Sequence, residues 1–298
     1  MGHGGYSSTW DNSKGSYSYD SSIRDLRAKD RGFYTKSRTE IFNSKNINSS
    51  MNPYGVQIRE SRDSIEHPNS VPIIIGIDVT GSMGSVPHYL VKEGLPKIME
   101  KIILNGILDP QVLFVAIGDH ECDNSPLQIG QFESSDSSLD KWLTDTWLEG
   151  GGGGNAGESY LLAWYFAANH TAIDSLEKRG RKGFLFTIGD EPVLSEIPSS
   201  ALKGIMGIDQ PQSYTAQQLY EKAKEKYHVY HIHIKETSSG SRQRVIDEWK
   251  QLLSDNLLVA NRHTEVSGII SEIILKEKDS IVSGISTPSI HDSVEEML

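Results

Sequence analysis

Val71-Pro72-Ile73-Ile74-Ile75-Gly76-Ile77-Asp78-Val79-Thr80-Gly81-Ser82 reads as an apolar run that ends in one acid and two hydroxyls. Ile73 to Ile77 has the composition of a buried strand. A helical segment follows from Val86 to Leu104, with Pro87 in its first turn and Leu90, Leu95, Ile98 and Ile102 on one face. Pro96 is expected to kink it. This order puts Asp78, Thr80 and Ser82 at the carboxyl end of a buried strand, where open α/β sheets bind ligands. Two hydroxyls and one or two carboxylates suit a hard divalent cation such as Mg²⁺, which takes oxygen donors and keeps several waters.

Outward from that stretch, strands and helices alternate. Gln111 to Ile117 and Leu127 to Phe132 read as strands, and Ser138 to Thr146 as a short helix. Glu158 to Thr171 is apolar nearly all round and marks a buried helix. Gly183 to Ile188 is a strand ending at Gly189-Asp190, and Ala216 to Tyr227 carries a helical period. Val229 to Ile234 is the next strand. A helix through Val245, Trp249 and Leu253, a strand Leu257 to Ala260 and a helix from Val266 to Ile274 complete the series. Alternation of this kind predicts a doubly wound α/β fold with a mostly parallel central sheet flanked by helices.

Composition divides the chain at residue 70. The expected organisation is a Gly/Ser/Tyr-rich extension over 1–70, a folded domain over 71–277 and a loose tail over 278–298. Residues 1–70 hold ten Lys/Arg against eight Asp/Glu, and the remaining 228 hold 19 against 32. So acidic a domain is a poor partner for nucleic acid, whose phosphates are bound by Lys and Arg. The basic residues Arg24, Arg27, Lys29, Arg31, Lys36 and Arg38 are interspersed with acids and read as a solvated face. Cys122 is the single cysteine, which excludes an internal disulfide and points to a reducing, cytoplasmic location. No stretch of about 18 apolar residues occurs, so no membrane span is expected.

The residues Asp78-Val79-Thr80-Gly81-Ser82 resemble the Asp-x-Ser/Thr-x-Ser motif of the von Willebrand factor A (vWA) domain, the core of its metal-ion-dependent adhesion site. The resemblance spans roughly residues 71–277. Gly152-Gly153-Gly154-Asn155-Ala156-Gly157-Glu158 is similar to the glycine-rich loop of that family's second motif. Phe186-Thr187-Ile188-Gly189-Asp190 is similar to the strand end that carries its third. The resemblance implies Thr80 and Ser82 as hydroxyl ligands, Asp78 as the carboxylate holding those hydroxyls or their waters, and Asp190 as the distal acid. The usual threonine of the second motif falls near Gly154, leaving Asn155 or Glu158 to substitute. The glycine loop also resembles a Gly-Gly-Gly-Asp-x-Pro-Glu variant found in some bacterial members.

What the resemblance implies is an intracellular adaptor or assembly module, of bacterial or phage type, that holds Mg²⁺, Mn²⁺ or Ca²⁺. A partner's Asp or Glu would complete the cation's shell, in a complex of the kind that contains an AAA+ ATPase. Neither nucleic acid nor membrane enters this reading, and no enzymatic activity is expected. Two other readings stand beside it. Asp-x-Thr-Gly-Ser also resembles the nucleophile motif of aspartyl-phosphate enzymes, with Asp78 attacking phosphorus, although Val79 and Leu194 depart from that pattern. The other is a structural protein with a vestigial site, whose N-terminal extension packs against another subunit; the hydroxyls and Asp78 are also open to a bland explanation, as caps of the following helix. Asp119 is conceivable as an outer residue of the site or as part of a solvated loop. His228, His231 and His233 read as structural, because no further zinc ligand lies at suitable spacing.

Overall fold

A computed structural model describes residues 46–134, 142, 145–148, 157–209 and 211–278. The elements, in chain order, begin with β1 (Arg59–Ser61) and β2 (Val71–Asp78). Helix α1 (Val86–Tyr89) and α2 (Leu95–Leu104) follow, then β3 (Pro110–Ile117) and β4 (Leu127–Glu133). Helix α3 (Tyr160–Asn169), β5 (Thr171–Ile173), α4 (Asp174–Arg179) and β6 (Gly183–Gly189) form the middle of the chain. Then come β7 (Glu196–Ile197), α5 (Ser199–Met206), β8 (Tyr214–Thr215), α6 (Ala216–Lys226) and β9 (Tyr227–Ile234). The last are α7 (Gln243–Leu253), β10 (Leu257–Ala260) and α8 (Val266–Lys276).

Six strands form the central sheet in the order β10-β9-β6-β2-β3-β4. All pairings are parallel except β3 with β4. Strand β2 is central and all eight of its residues are buried. Its side chains still alternate. Ile73, Ile75 and Ile77 face one core with α2 and α8, while Ile74 faces the other with α3, α6 and α7. Pro72 is accommodated because it sits at the strand's start: it pairs opposite Gln111 of β3, and the pairing with β6 begins only at Ile73. From β2 the chain leaves through α1 and α2 over one face, and from β6 it leaves through α5 and α6 over the other. The carboxyl ends of β2 and β6 therefore form the switch point where such sheets bind ligands.

The helix expected from Val86 to Leu104, with a kink at Pro96, is two α-helices joined by a π-helical turn, Leu90–Gly94, just before that proline. Pro96 has no N–H to donate and its ring crowds the carbonyl four residues earlier, and a widened turn relieves both. Helix α3 starts at Tyr160, two residues later than its apolar pattern suggests. Glu158 lies outside it, in a parallel bridge to Val193 with its N–H on Pro192 O and its carbonyl accepting from Leu194 N. Helices α4 and α5 and the short pairs β1–β5 and β7–β8 are additions to the elements expected from the sequence.

Residues 46–70 are held against the domain rather than separate from it. Met51 is fully buried in the core, and β1 pairs in parallel with β5. Arg62 and Arg179 close ion pairs between this segment and α4, through Asp174 and Asp63. The packed body thus begins well before residue 71. Residues 1–45 and 279–298, the five glycines 150–154 and most of the helix expected at Ser138 to Thr146 lie outside the described residues. No helix among the described residues is long and apolar enough to cross a membrane.

Candidate metal centre

The loop after β2 is built by Asp78. Its Oδ1 accepts from the Thr80 N–H at 2.9 Å and from the Thr80 hydroxyl at 2.6 Å. The first bond closes the local turn that Asp residues make with their own backbone two positions on. Thr80 then stands at the start of a 3₁₀ turn, Gly81–Met83, but its side chain makes no capping bond there. The capping alternative therefore holds for neither hydroxyl: Thr80 donates to Asp78, and Ser82 donates to Asp190 Oδ1 at 2.9 Å. Gly84, at φ 53°, ends the turn in a left-handed conformation that a side chain would strain.

The two hydroxyl oxygens lie 3.3 Å apart. Each hydroxyl owns one proton, and each has committed it to a carboxylate. Their lone pairs are left for an electron-poor ligand. Asp78 and Asp190 are both fully buried, and Thr80 nearly so, while Ser82 is partly open to solvent. Of these four residues, Ser82 is the one that reaches solvent.

Glu158 joins the set from a third segment. It is buried beside the Thr80 hydroxyl and close to the Asp78 charge. Its Oε2, like Asp190 Oδ2, is buried and makes no hydrogen bond. Burial raises the Glu158 pKa first, and the charges of Asp78, Asp119 and Asp123 raise it further. Burial also raises Asp78, with the charge of Asp190 adding to it and hydrogen bonds from Thr80 and Tyr160 opposing it. Asp190 is raised by burial as well, partly offset by the Thr237 and Ser82 hydroxyls. Burial makes all three of these carboxylates resist ionisation. Among the described residues no three His, Cys, Asp or Glu side chains are arranged to hold a metal by themselves.

Of the predicted site residues, Asp78, Thr80, Ser82, Asp190 and Glu158 are brought together, from segments up to 112 positions apart in the chain. Asn155 lies outside the described residues. Asp119 is buried at the end of β3 rather than solvated. It accepts from Glu121 N, its own N–H bonds Asp123 Oδ2, and its charge acts on Glu158. His231 and His233 are buried in β9, and burial lowers the pKa of both, as structural imidazoles require.

Sequence reasoning missed Tyr160. Its phenol donates to Asp78 Oδ2 at 2.7 Å, so both oxygens of Asp78 are occupied by protein donors. Within Tyr160-Leu161-Leu162-Ala163-Trp164 a tyrosine reads as core. Only its place two residues after Glu158 hints at more.

Strand order, the switch point and the placement of the loop define a vWA/Rossmann-like α/β fold. Solved structures resemble it distantly. The pilus adhesin SpaC from Lactobacillus rhamnosus GG, in an open conformation, aligns at TM-score 0.48 and 11% identity over 71% of this chain and 30% of that one. The vWF domain of the type V pili tip protein Mfa5 from Porphyromonas gingivalis aligns at TM-score 0.45 and 11% identity, over 71% of this chain and 96% of that domain. The SpRpn10 VWA domain aligns at TM-score 0.40 and 14% identity, over 72% and 98%. The chain thus spans under a third of the adhesin's length. No protein-family model matches the sequence. No curated protein matches it either.

Proposed function

We propose that this chain is a metal-ion-dependent protein-binding module of the cytoplasm, with a divalent cation, Mg²⁺ or Mn²⁺ or Ca²⁺, at the end of β2. The observation that carries the reading is the pair of hydroxyls, each turned by a buried carboxylate so that its lone pairs are free. An oxygen-only donor set of this kind fits a hard cation, and the unpartnered oxygens of Asp190 and Glu158 fit it too. Thr80 and Ser82 would hold the ion, with Asp190 beside Ser82. Asp78 would act by orienting Thr80, and Glu158 would take the place of the absent threonine. Bound there, the cation would supply a positive charge and an open coordination position.

Ser82 is partly open to solvent, and there a partner's Asp or Glu would complete the cation's shell through a charge-assisted contact. The role that fits such a contact is adaptor or assembly factor, in a multiprotein complex of the kind that includes an AAA+ ATPase. Over phosphoryl transfer, this reading is favoured by Asp78 itself. A nucleophile needs a free oxygen with access to substrate, whereas Asp78 is fully buried and both its oxygens accept hydrogen bonds.

The test is calorimetric titration of Mg²⁺ and Mn²⁺ into the protein and into Ser82→Ala. The wild type is expected to bind one equivalent, with millimolar or tighter affinity, and Ser82→Ala to lose it. Partner capture should then disappear with a chelator. Equal binding by both proteins would refute the assignment.

A further inference from the structure

The three chain segments of the site meet at one group that belongs to none of the motifs. Tyr160 opens α3, directly after Glu158-Ser159, and is fully buried. Its ring is packed edge-on against His231, centroids 5.0 Å apart, and against Trp249 at 5.4 Å. His231 in turn stacks on Trp249 at 3.6 Å. This aromatic bed fixes where the phenol oxygen lies, and that oxygen bonds Asp78 Oδ2 at 2.7 Å. On its other side is the backbone of Gly189, the residue before Asp190. A Cβ at 189 would stand 1.8 Å from the phenol oxygen and 2.5 Å from the ring carbon that bears it. Only glycine lets this tyrosine reach the acid.

We propose that Tyr160 is the positioning residue of the metal centre: its hydroxyl holds Asp78, which holds Thr80, and the close seat on Gly189 ties Asp190 to the same point. The inference rests on the metal reading of the site and goes beyond it by naming the group that sets its geometry. The chemistry is that of an outer partner orienting the groups that hold an ion. Such a partner fixes one rotamer of a carboxylate, and its loss typically weakens metal affinity roughly tenfold to a hundredfold. With Oδ2 released, Asp78 is held only by the bonds of its Oδ1 to Thr80, so its rotamer is less restricted and the acceptor of the Thr80 amide and hydroxyl is less firmly placed.

The variant that isolates the hydroxyl is Tyr160→Phe, which keeps the ring against His231 and Trp249. Tyr165→Phe, on the same helix and away from the site, is the control. Two readouts separate the inference from the reading beneath it. The first is Mn²⁺ affinity by electron paramagnetic resonance, expected to fall by roughly tenfold or more in Tyr160→Phe alone. The second needs no metal: hydrogen exchange of the Thr80 amide in chelator-treated protein. Its partner is Asp78 Oδ1, so exchange should accelerate in Tyr160→Phe and stay at the wild-type rate in Tyr165→Phe. If wild type binds no Mn²⁺ while Thr80 exchange still accelerates, the metal reading fails and the positioning role stands. If wild type binds Mn²⁺ and Tyr160→Phe matches it in both affinity and exchange, the positioning role is overturned. Unchanged exchange in a protein that binds no metal overturns it as well.

Discussion

Replacing Asp190 by Asn changes the centre's charge with almost no change in shape, and its effect should reverse sign with metal. In the absence of a cation, Asp190 is a buried acid with one oxygen unbonded and with Asp78 close enough to feel its charge. Holding that charge buried beside a second acid, with an incomplete set of hydrogen bonds, costs roughly 1–3 kcal/mol more than holding a neutral amide in the same place. The amide removes the charge and keeps an oxygen for the Ser82 proton, though that bond weakens by about 1 kcal/mol once its acceptor is neutral. The net gain is about 1 kcal/mol, or ~2–4 °C in Tm for a body of this size. With Mg²⁺ at roughly a hundredfold over its dissociation constant, wild type gains about 2.7 kcal/mol from linkage, and Asp190→Asn should gain none. Differential scanning fluorimetry in chelator and in Mg²⁺ reads both effects. An Asp190→Asn protein that melts below wild type in chelator, or that Mg²⁺ stabilises equally, would refute the reasoning.

Three further outcomes follow from the packing. Asp174 is held well below its ordinary range, to about 2: burial alone would raise it, but hydrogen bonds from Lys178, the Asp63 N–H and Arg62 outweigh that. A depressed carboxylate contributes stability above its unfolded pKa that is lost as pH falls through its folded one. Asp174→Asn should therefore cost about 1 kcal/mol at pH 7, discounted because Lys178 and Arg62 are more than a third exposed, and almost nothing near pH 2, as acid denaturation curves would show. Met51→Ala should cost about 2–5 kcal/mol in urea titration, since its side chain is fully buried, and a chain beginning at residue 65 should melt lower still because it also loses β1. Trp249→Ala should cost about 3–5 kcal/mol by the same titration, because the indole is stacked on His231 and donates to Glu191 O at 2.9 Å.

What was legible in the sequence follows from what each residue's neighbours are. The strand Val71 to Asp78 could be read because burial on both faces demands an unbroken apolar run. Asp78, Thr80 and Ser82 could be named because they follow a recognisable strand whose carboxyl end lies on the ligand edge of such sheets, and Asp190 because the strand end that carries it is similar to the third motif of the vWA family. The antiparallel edge strand β4 could not be distinguished, since Leu127 to Phe132 has no feature that sets direction. Helices α4 and α5, of six and eight residues, are too short for a helical period to stand out. Glu158 reads as the start of a helix because it opens the apolar run that continues to Thr171. Its actual place, bridged to Val193, depends on a pairing 35 positions away. Tyr160 was invisible for the same reason: its function lies in one oxygen atom, aimed at a residue 82 positions earlier.

The most direct measurement is anomalous diffraction from crystals of the protein soaked in Mn²⁺. The account predicts one strong peak within coordination reach, roughly 2.1 Å, of the Thr80 and Ser82 hydroxyl oxygens. A soaked crystal with no peak there, or with its only peak elsewhere on the surface, would contradict it.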